Sequence, residues 1–207
     1  METLSAAGII LAGGRASRFD PTGQVDKGLL RLAGQPLVAH TAQLLHTYTQ
    51  QILISANRYL NEYCVYGAVH ADEPDLGVYQ GPMAGLATCM THLSHQWAYV
   101  APVDLPLISG AVYARLSSAA QHGSSGVAYV QAARMHPLCM VIHKDLAPTV
   151  RQYVLEGERK VMLFLQQVQA QAVDCADLDE GVFLNVNTGA DLAQAERILA
   201  LRQRQPI

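Results

Sequence analysis

Short apolar runs rich in β-branched residues alternate along this chain with longer segments of helical period, and no other feature restricts the fold as much. The runs are 5–11, 51–56, 67–70, 97–103, 126–131, 138–143, 170–174 and 182–186; the helical segments are 36–49, 82–93, 110–122, 144–156, 161–168 and 188–202. Ala-Gly-Ile-Ile-Leu-Ala at 7–12 and Ala-Tyr-Val-Ala-Pro-Val at 98–103 are continuously apolar rather than alternating, the pattern of strands buried on both faces. Strands that alternate with helices predict an α/β fold with a mostly parallel central sheet and right-handed crossovers. No repeat, low-complexity tract or linker interrupts the pattern, so residues 1–207 are expected to form one domain. A chain of this length supports a core without disulfide or metal staples.

The charge narrows the partners. Fourteen Lys and Arg against 17 Asp and Glu give a net −3, which offers no broad basic surface for nucleic acid or an anionic membrane. No apolar stretch nears the roughly 20 residues of a membrane span, and Met-Glu-Thr-Leu-Ser lacks a basic export region, so the cytoplasm is the expected compartment. Cys64, Cys89, Cys139 and Cys175 are too widely spaced for a Cys-x-x-Cys pair and read as reduced core thiols. Charge is also thinly spread: the lysines are Lys27, Lys144 and Lys160, and between Leu76 and Lys144 the only carboxylate is Asp104.

In an open α/β sheet, ligands bind beyond the carboxyl ends of the strands. The loop after the first run is Leu11-Ala12-Gly13-Gly14-Arg15-Ala16-Ser17-Arg18, and Asp26-Lys27-Gly28-Leu29-Leu30 follows it. Adjacent glycines let main-chain N–H groups approach a phosphate, and Arg15, Arg18 and Lys27 add positive charge at the same mouth. An ordinary glycine turn with solvated arginines is the plainer reading of the loop alone. It fits neither Gly-x-x-x-x-Gly-Lys-Ser/Thr nor Gly-x-Gly-x-x-Gly.

The segment resembles the nucleotidyltransferase signature, Leu-Ala-Gly-Gly-x-x-x-Arg with a following Asp-Lys, and within that superfamily it is similar to the molybdenum cofactor guanylyltransferases. Further matches arrive in the family's order: Ser55-Ala56-Asn57-Arg58, Asp72, Gly81-Pro82-Met83-Ala84-Gly85-Leu86, Val103-Asp104-Leu105-Pro106, His136-Pro137-Leu138 and Asn185-Val186-Asn187-Thr188. The resemblance implies a three-layer, Rossmann-like nucleotidyltransferase fold, with 1–105 the nucleotide-binding half and 106–207 the acceptor-binding half. It implies nucleotide contacts from Leu11, Ala12, Gly13, Lys27, Asn57, Asp72 and Asp104, and Mg²⁺ on Asp104. Two segments depart from the family pattern: 19–25 is longer than its counterpart, and Gly189-Ala190 stands where Pro-Glu is usual.

The chemistry of the residues supports the same roles. Asp104 closes an apolar run, where a carboxylate needs a cation, and Arg115 is the only basic residue between Arg58 and Arg134; magnesium with phosphate is then its natural partner, against a salt-bridged or capping aspartate. Lys27 reads as a phosphate counter-charge, against a solvated lysine, and the Gly14 backbone and Arg18 as further cover for the triphosphate. Asn57 offers both edges of an amide to a base or ribose. Asp72 lies in Asp72-Glu73-Pro74-Asp75, whose bland reading is a solvated acidic loop. For the acceptor, Asn185 and Asn187 alternate on one face of the run 182–186 and its extension, and Arg159 and Lys160 are second candidates beside a plain solvated turn. His136 reads as buried or capped rather than catalytic. Thr188, with Asp191 in the capping-box position, starts the last helix without a proline.

The expected reaction moves GMP from GTP to the molybdenum–molybdopterin cofactor and releases pyrophosphate. The resemblance also implies hand-over of the product to cofactor-delivery chaperones or molybdoenzymes. Rival readings are a cytidylyltransferase for the same pterin, a sugar-phosphate nucleotidyltransferase, and a nucleotide-binding module without catalysis. Ala12-Gly13-Gly14, where the cytidylyl enzymes typically have Ala-Ala-Gly, favours guanine.

Overall fold

The computed structural model describes residues 4–13, 25–77 and 80–204. In chain order the elements are β1 (Ala6–Leu11), β2 (Arg31–Leu32), β3 (Gln35–Pro36), α1 (Leu37–Leu45), β4 (Ile52–Ser55), α2 (Leu60–Tyr63), β5 (Ala68–His70), α3 (Pro82–Thr91), β6 (Trp97–Pro102), α4 (Gly110–His122), β7 (Val127–Gln131), β8 (Met135–His143), α5 (Ala147–Leu155), α6 (Val161–Gln167), β9 (Gln171–Asp174) and α7 (Gly189–Arg204). Seven strands form one sheet in the order β5-β4-β1-β6-β8-β7-β9. β8 is antiparallel to both its neighbours, and the other pairs are parallel. The expected mostly parallel α/β architecture is therefore present. The reversal has a local cause: only Ala132, Ala133 and Arg134 separate β7 from β8, too few for the crossover that a parallel pair needs.

Alternation along buried strands builds a core on each face. Ile10, Tyr99 and Val141 pack with Val38, Leu45, Tyr113 and Leu116 of α1 and α4. Ile9, Leu11, Val100 and Ile142 pack on the opposite face with Leu86, Val150 and Phe164 of α3, α5 and α6. These helices on both faces give the three layers, and a smaller cluster of Leu32, Leu37, Leu107, Val186 and Ala195 ties α7 to the rest. At the amino end of β6, the Trp97 ring meets His143 edge-on, with centroids 4.6 Å apart.

One expected strand is absent. Residues 182–186 form the end of a 3-10 turn (Glu180–Phe183) followed by extended chain. Val182 and Phe183 are apolar because they pack into one core cluster and Val186 because it packs into another, not because they join the sheet. The Val186 N–H instead donates to the Asp104 carbonyl at 2.8 Å, which brings this segment to the loop after β6. β8 starts at Met135, earlier than its apolar run suggested, because hairpin pairing extends it to Gln131↔Met135. The four free cysteines agree with the thiol reading for Cys89, Cys139 and Cys175, which are buried, whereas Cys64 is exposed. No helix among the described residues is long and apolar enough to cross a membrane.

Candidate nucleotide site

The carboxyl ends of β1, β4 and β6 open on a cleft of about 230 Å³, lined by Leu11, Gly13, Lys27, Ser55, Asn57, Asp72, Gly81 and Asp104 among others. Register explains the convergence: Leu11 pairs with Ser55 on one side and Pro102 on the other, so the loops that follow all three strands leave from one level. Ala12 is buried and ties β1 to β4 through its N–H, which donates to the Ser55 carbonyl at 2.9 Å. Gly14 and Arg18 lie outside the described residues.

Lys27 stands at the centre. Its Nζ donates to Asp104 Oδ2 at 3.1 Å and to Asn187 Oδ1 at 2.6 Å, so three segments distant in sequence meet on one ammonium. Asp104 thus has a protein cation, as in the salt-bridged alternative, although none lies near it in sequence. Arg115, the nearer basic residue in sequence, pairs with Asp177 instead, while Lys27 arrives from 77 residues away. The two side chains are 13% and 29% exposed, enough to leave Asp104 open to a ligand in the cleft.

The turn that carries Lys27 is held from below. Asp26 caps it by accepting from the Gly28 N–H at 3.1 Å, and it accepts a bond from the buried Tyr63 hydroxyl. Burial pushes the Asp26 carboxyl above its ordinary range, against the bonds from Tyr63 and Gly28 and the nearby Arg58. The Tyr63 hydroxyl is pushed up by burial and by the Asp26 charge, so it remains a donor. A Cβ on Gly28 would fall 2.2 Å from the Tyr63 hydroxyl, which makes glycine the residue that fits. In the Asp-Lys-Gly run, then, only lysine faces the cleft, and nothing in the sequence around Tyr63 marked it as the support.

Asn57 and Asp72 lock to each other. Asn57 Nδ2 donates to Asp72 Oδ2 and the Asp72 N–H donates to Asn57 Oδ1, both at 2.8 Å. Among the described residues these bonds leave one donor and one lone pair of the amide for a ligand, rather than the two full edges expected. The acidic run divides its labour: Asp72 is buried in the cleft wall, whereas Glu73 and Asp75 turn outward and both pair with Arg151. Gly81 has φ +90°, which glycine adopts without strain, and it places Pro82 at the start of α3 on the cleft rim.

The acceptor candidates separate. Asn187 reaches Lys27, and its own N–H donates to Asp191 at 2.9 Å while Thr188 Oγ1 accepts from the Asp191 N–H at 3.2 Å. That Asn187 bond, more than any other group, holds the Asp191 carboxyl below its ordinary range, with Lys27 contributing. Asn185 lines a separate depression of about 140 Å³ with Asp104, His136 and Leu138. The two asparagines therefore meet the site from irregular chain, not as alternate positions of a strand. Arg159 donates to Gln80 Oε1 at 3.2 Å near the cleft rim, and Lys160 precedes α6, exposed. His136 is buried and stacked on Phe183, with centroids 4.9 Å apart. Burial, followed by Arg134, holds its imidazole below the usual range, against the pull of Asp104.

Among the described residues, no group of three or more His, Cys, Asp and Glu side chains forms a metal cage. Magnesium does not require one, since it is commonly held by one or two carboxylates plus substrate phosphates. A partly exposed Asp104 at the floor of a cleft suits that mode.

The family of MobA-like NTP transferase domains matches residues 8–173. A molybdenum cofactor guanylyltransferase of Vibrio cholerae serotype O1 is 35% identical over 90% of this chain and 89% of its own. One from Serratia proteamaculans is 36% identical over 89% of this chain and 90% of its own. In fold, molybdopterin-guanine dinucleotide biosynthesis protein A from Archaeoglobus fulgidus superposes with a TM-score of 0.76 at 20% identity, covering 94% of this chain and 98% of that one.

Proposed function

Since the chain belongs to the MobA-like NTP transferase family, we propose that it performs the reaction for which its curated relatives are named, transferring GMP from GTP to molybdenum–molybdopterin with release of pyrophosphate. The chain is a nucleotidyltransferase of the molybdenum cofactor guanylyltransferase kind. The observation that carries the site reading is the meeting of Lys27, Asp104 and Asn187 beside the Gly13 backbone at the carboxyl edge of the sheet.

An acceptor phosphate is already ionised at neutral pH, so attack on the α-phosphorus needs no general base. What the protein must supply is alignment and countercharge. Lys27 is held by Asn187 at a fixed position from which its ammonium can turn to phosphate oxygens as charge builds on them. A preorganised donor of this type contributes about 3–4 kcal/mol to the transition state. The Gly13 backbone lets phosphate approach closely, and the locked Asn57–Asp72 pair presents a rigid edge to the nucleoside. Asp104 would hold magnesium together with nucleotide phosphates, and the ion would neutralise charge on the triphosphate. Residues 1–105 thus serve the nucleotide and 106–207 the acceptor, with Asp104 at their border.

The test follows pyrophosphate from purified protein given magnesium, molybdopterin loaded with molybdate, and either GTP or CTP. Release with GTP is expected. Release with CTP alone would replace guanylyl by cytidylyl transfer, and no release with either triphosphate would reduce the chain to a nucleotide-binding module.

A further inference from the structure

A second cavity, of about 490 Å³, lies among the β7–β8 turn, the segment after β9 and α7, with Arg134, His136, Glu180, Phe183, Leu184 and Ile198 in its lining. Its volume falls within the roughly 300–1,000 Å³ of small-molecule sites. The sheet fixes its relation to the nucleotide cleft. Because β8 is reversed between β6 and β7, strands β7 and β9 run in the same direction as β1, β4 and β6. All their carboxyl ends therefore open on one edge.

Shared residues join the depressions along that edge. The nucleotide cleft shares Pro102, Asp104 and Leu138 with the small depression that Asn185 lines, and that depression shares His136 with the second cavity. Asp104 follows β6, with β4 two strands away on one side and β7 two strands away on the other. At about 4.8 Å per strand, each arm of this trough is roughly 10 Å long.

We propose that the second cavity seats the fused-ring end of the phosphate-bearing acceptor, whose phosphate then reaches past His136 to Lys27 and Asn187. This rests on the guanylyl-transfer reading. With the nucleoside on the β1–β4 arm, the other arm remains for the acceptor. The stacked rings of His136 and Phe183, themselves buried, back the half-buried Leu184 and Ile198, and together they give the cavity a wall against which a planar heterocycle can lie. At the exposed rim, the Glu180 carboxylate suits the amino and ring N–H donors of an aminopyrimidinone, and the Arg134 guanidinium suits its carbonyl.

Gln194→Trp, on the exposed face of α7, and Ala176→Trp, at the exposed rim, narrow the cavity without entering the core. Molybdopterin binding is read from pterin fluorescence, and GTP binding from calorimetry with magnesium. Each variant should bind molybdopterin about tenfold more weakly and raise the acceptor KM in step, as expected when a ring loses its pocket, with GTP affinity unchanged. Should a tryptophan variant lose its cooperative melting, Glu180→Gln is the third probe, with weakened molybdopterin binding expected. Folded variants that bind molybdopterin as the wild type does would overturn the assignment. If the wild type turns over and the variants keep its acceptor KM, the cavity assignment alone falls; if the wild type releases no pyrophosphate, the guanylyl reading falls and takes this one with it.

Discussion

Asp104 and Lys27 neutralise each other across 77 residues, so the protein holds its two principal candidate charges ready without leaving either buried and unpaired. Both side chains keep some exposure and Lys27 keeps its bond to Asn187, so a substitution at Asp104 that preserves an acceptor should disturb chemistry more than folding. Asp104→Asn keeps the shape and an acceptor for Lys27, and kcat/KM with GTP should fall by about 10²–10³, the scale of one preorganised electrostatic contact, while thermal melting stays near that of the wild type. Near-normal turnover would remove Asp104 from the proposed metal position. Asp26 behaves in the opposite way, because burial raises its pKa. A folded carboxyl that holds its proton more tightly than the unfolded one contributes stability below the unfolded pKa, and this contribution is lost as pH rises through the folded value. Wild-type stability relative to Asp26→Asn should accordingly decline as pH rises above the ordinary carboxylate value of about 4. Paired melting curves from that value upward check the sign, and a rising difference would show that Arg58 and the hydrogen bonds outweigh desolvation.

Elements come together here through close approaches that single atoms decide. A Cβ on Gly85 of α3 would fall 2.0 Å from Ser55 Oγ and 2.9 Å from Ser55 Cβ at the end of β4. Gly85→Ala should push helix and strand apart at a cost of about 1–3 kcal/mol, with Ser55→Ala recovering part of it in the double variant; urea titration measures both. Most strands were legible because continuous apolar runs flanked by glycine and polar loops have few alternatives. The run 182–186 misled because burial, not pairing, demands apolar residues, and Val182, Phe183 and Val186 obtain burial from the sheet's margin. The reversed β8 follows from a short connection, but its extension to Met135 is set by pairing with β7, which periodicity does not encode. α2 and the β2–β3 hairpin span four residues and two residues per strand, too short for either period to register.

For the molecule as a whole, candidate chemical residues were easier to pick out of the sequence than the partners they meet. Lys27, Asn57, Asp72, Asp104 and Asn187 were visible as motif positions, and the described fold draws Lys27 to Asp104 and Asn187, and Asn57 to Asp72. Their partnerships depend on strand order and crossover direction, which no local pattern states. The support of Asp26 by Tyr63 and the capping of the α7 start by Asp191 illustrate the same divide: the second is a local four-residue pattern and was legible, the first joins residues 37 apart and was not. Opposite the trough, the chain's single tryptophan, Trp97, sits at the amino end of β6 against His143, with the length of a strand between it and Asp104. Its emission should thus register loss of the sheet while remaining indifferent to GTP, which lets unfolding be followed optically in the presence of saturating ligand without a foreign label.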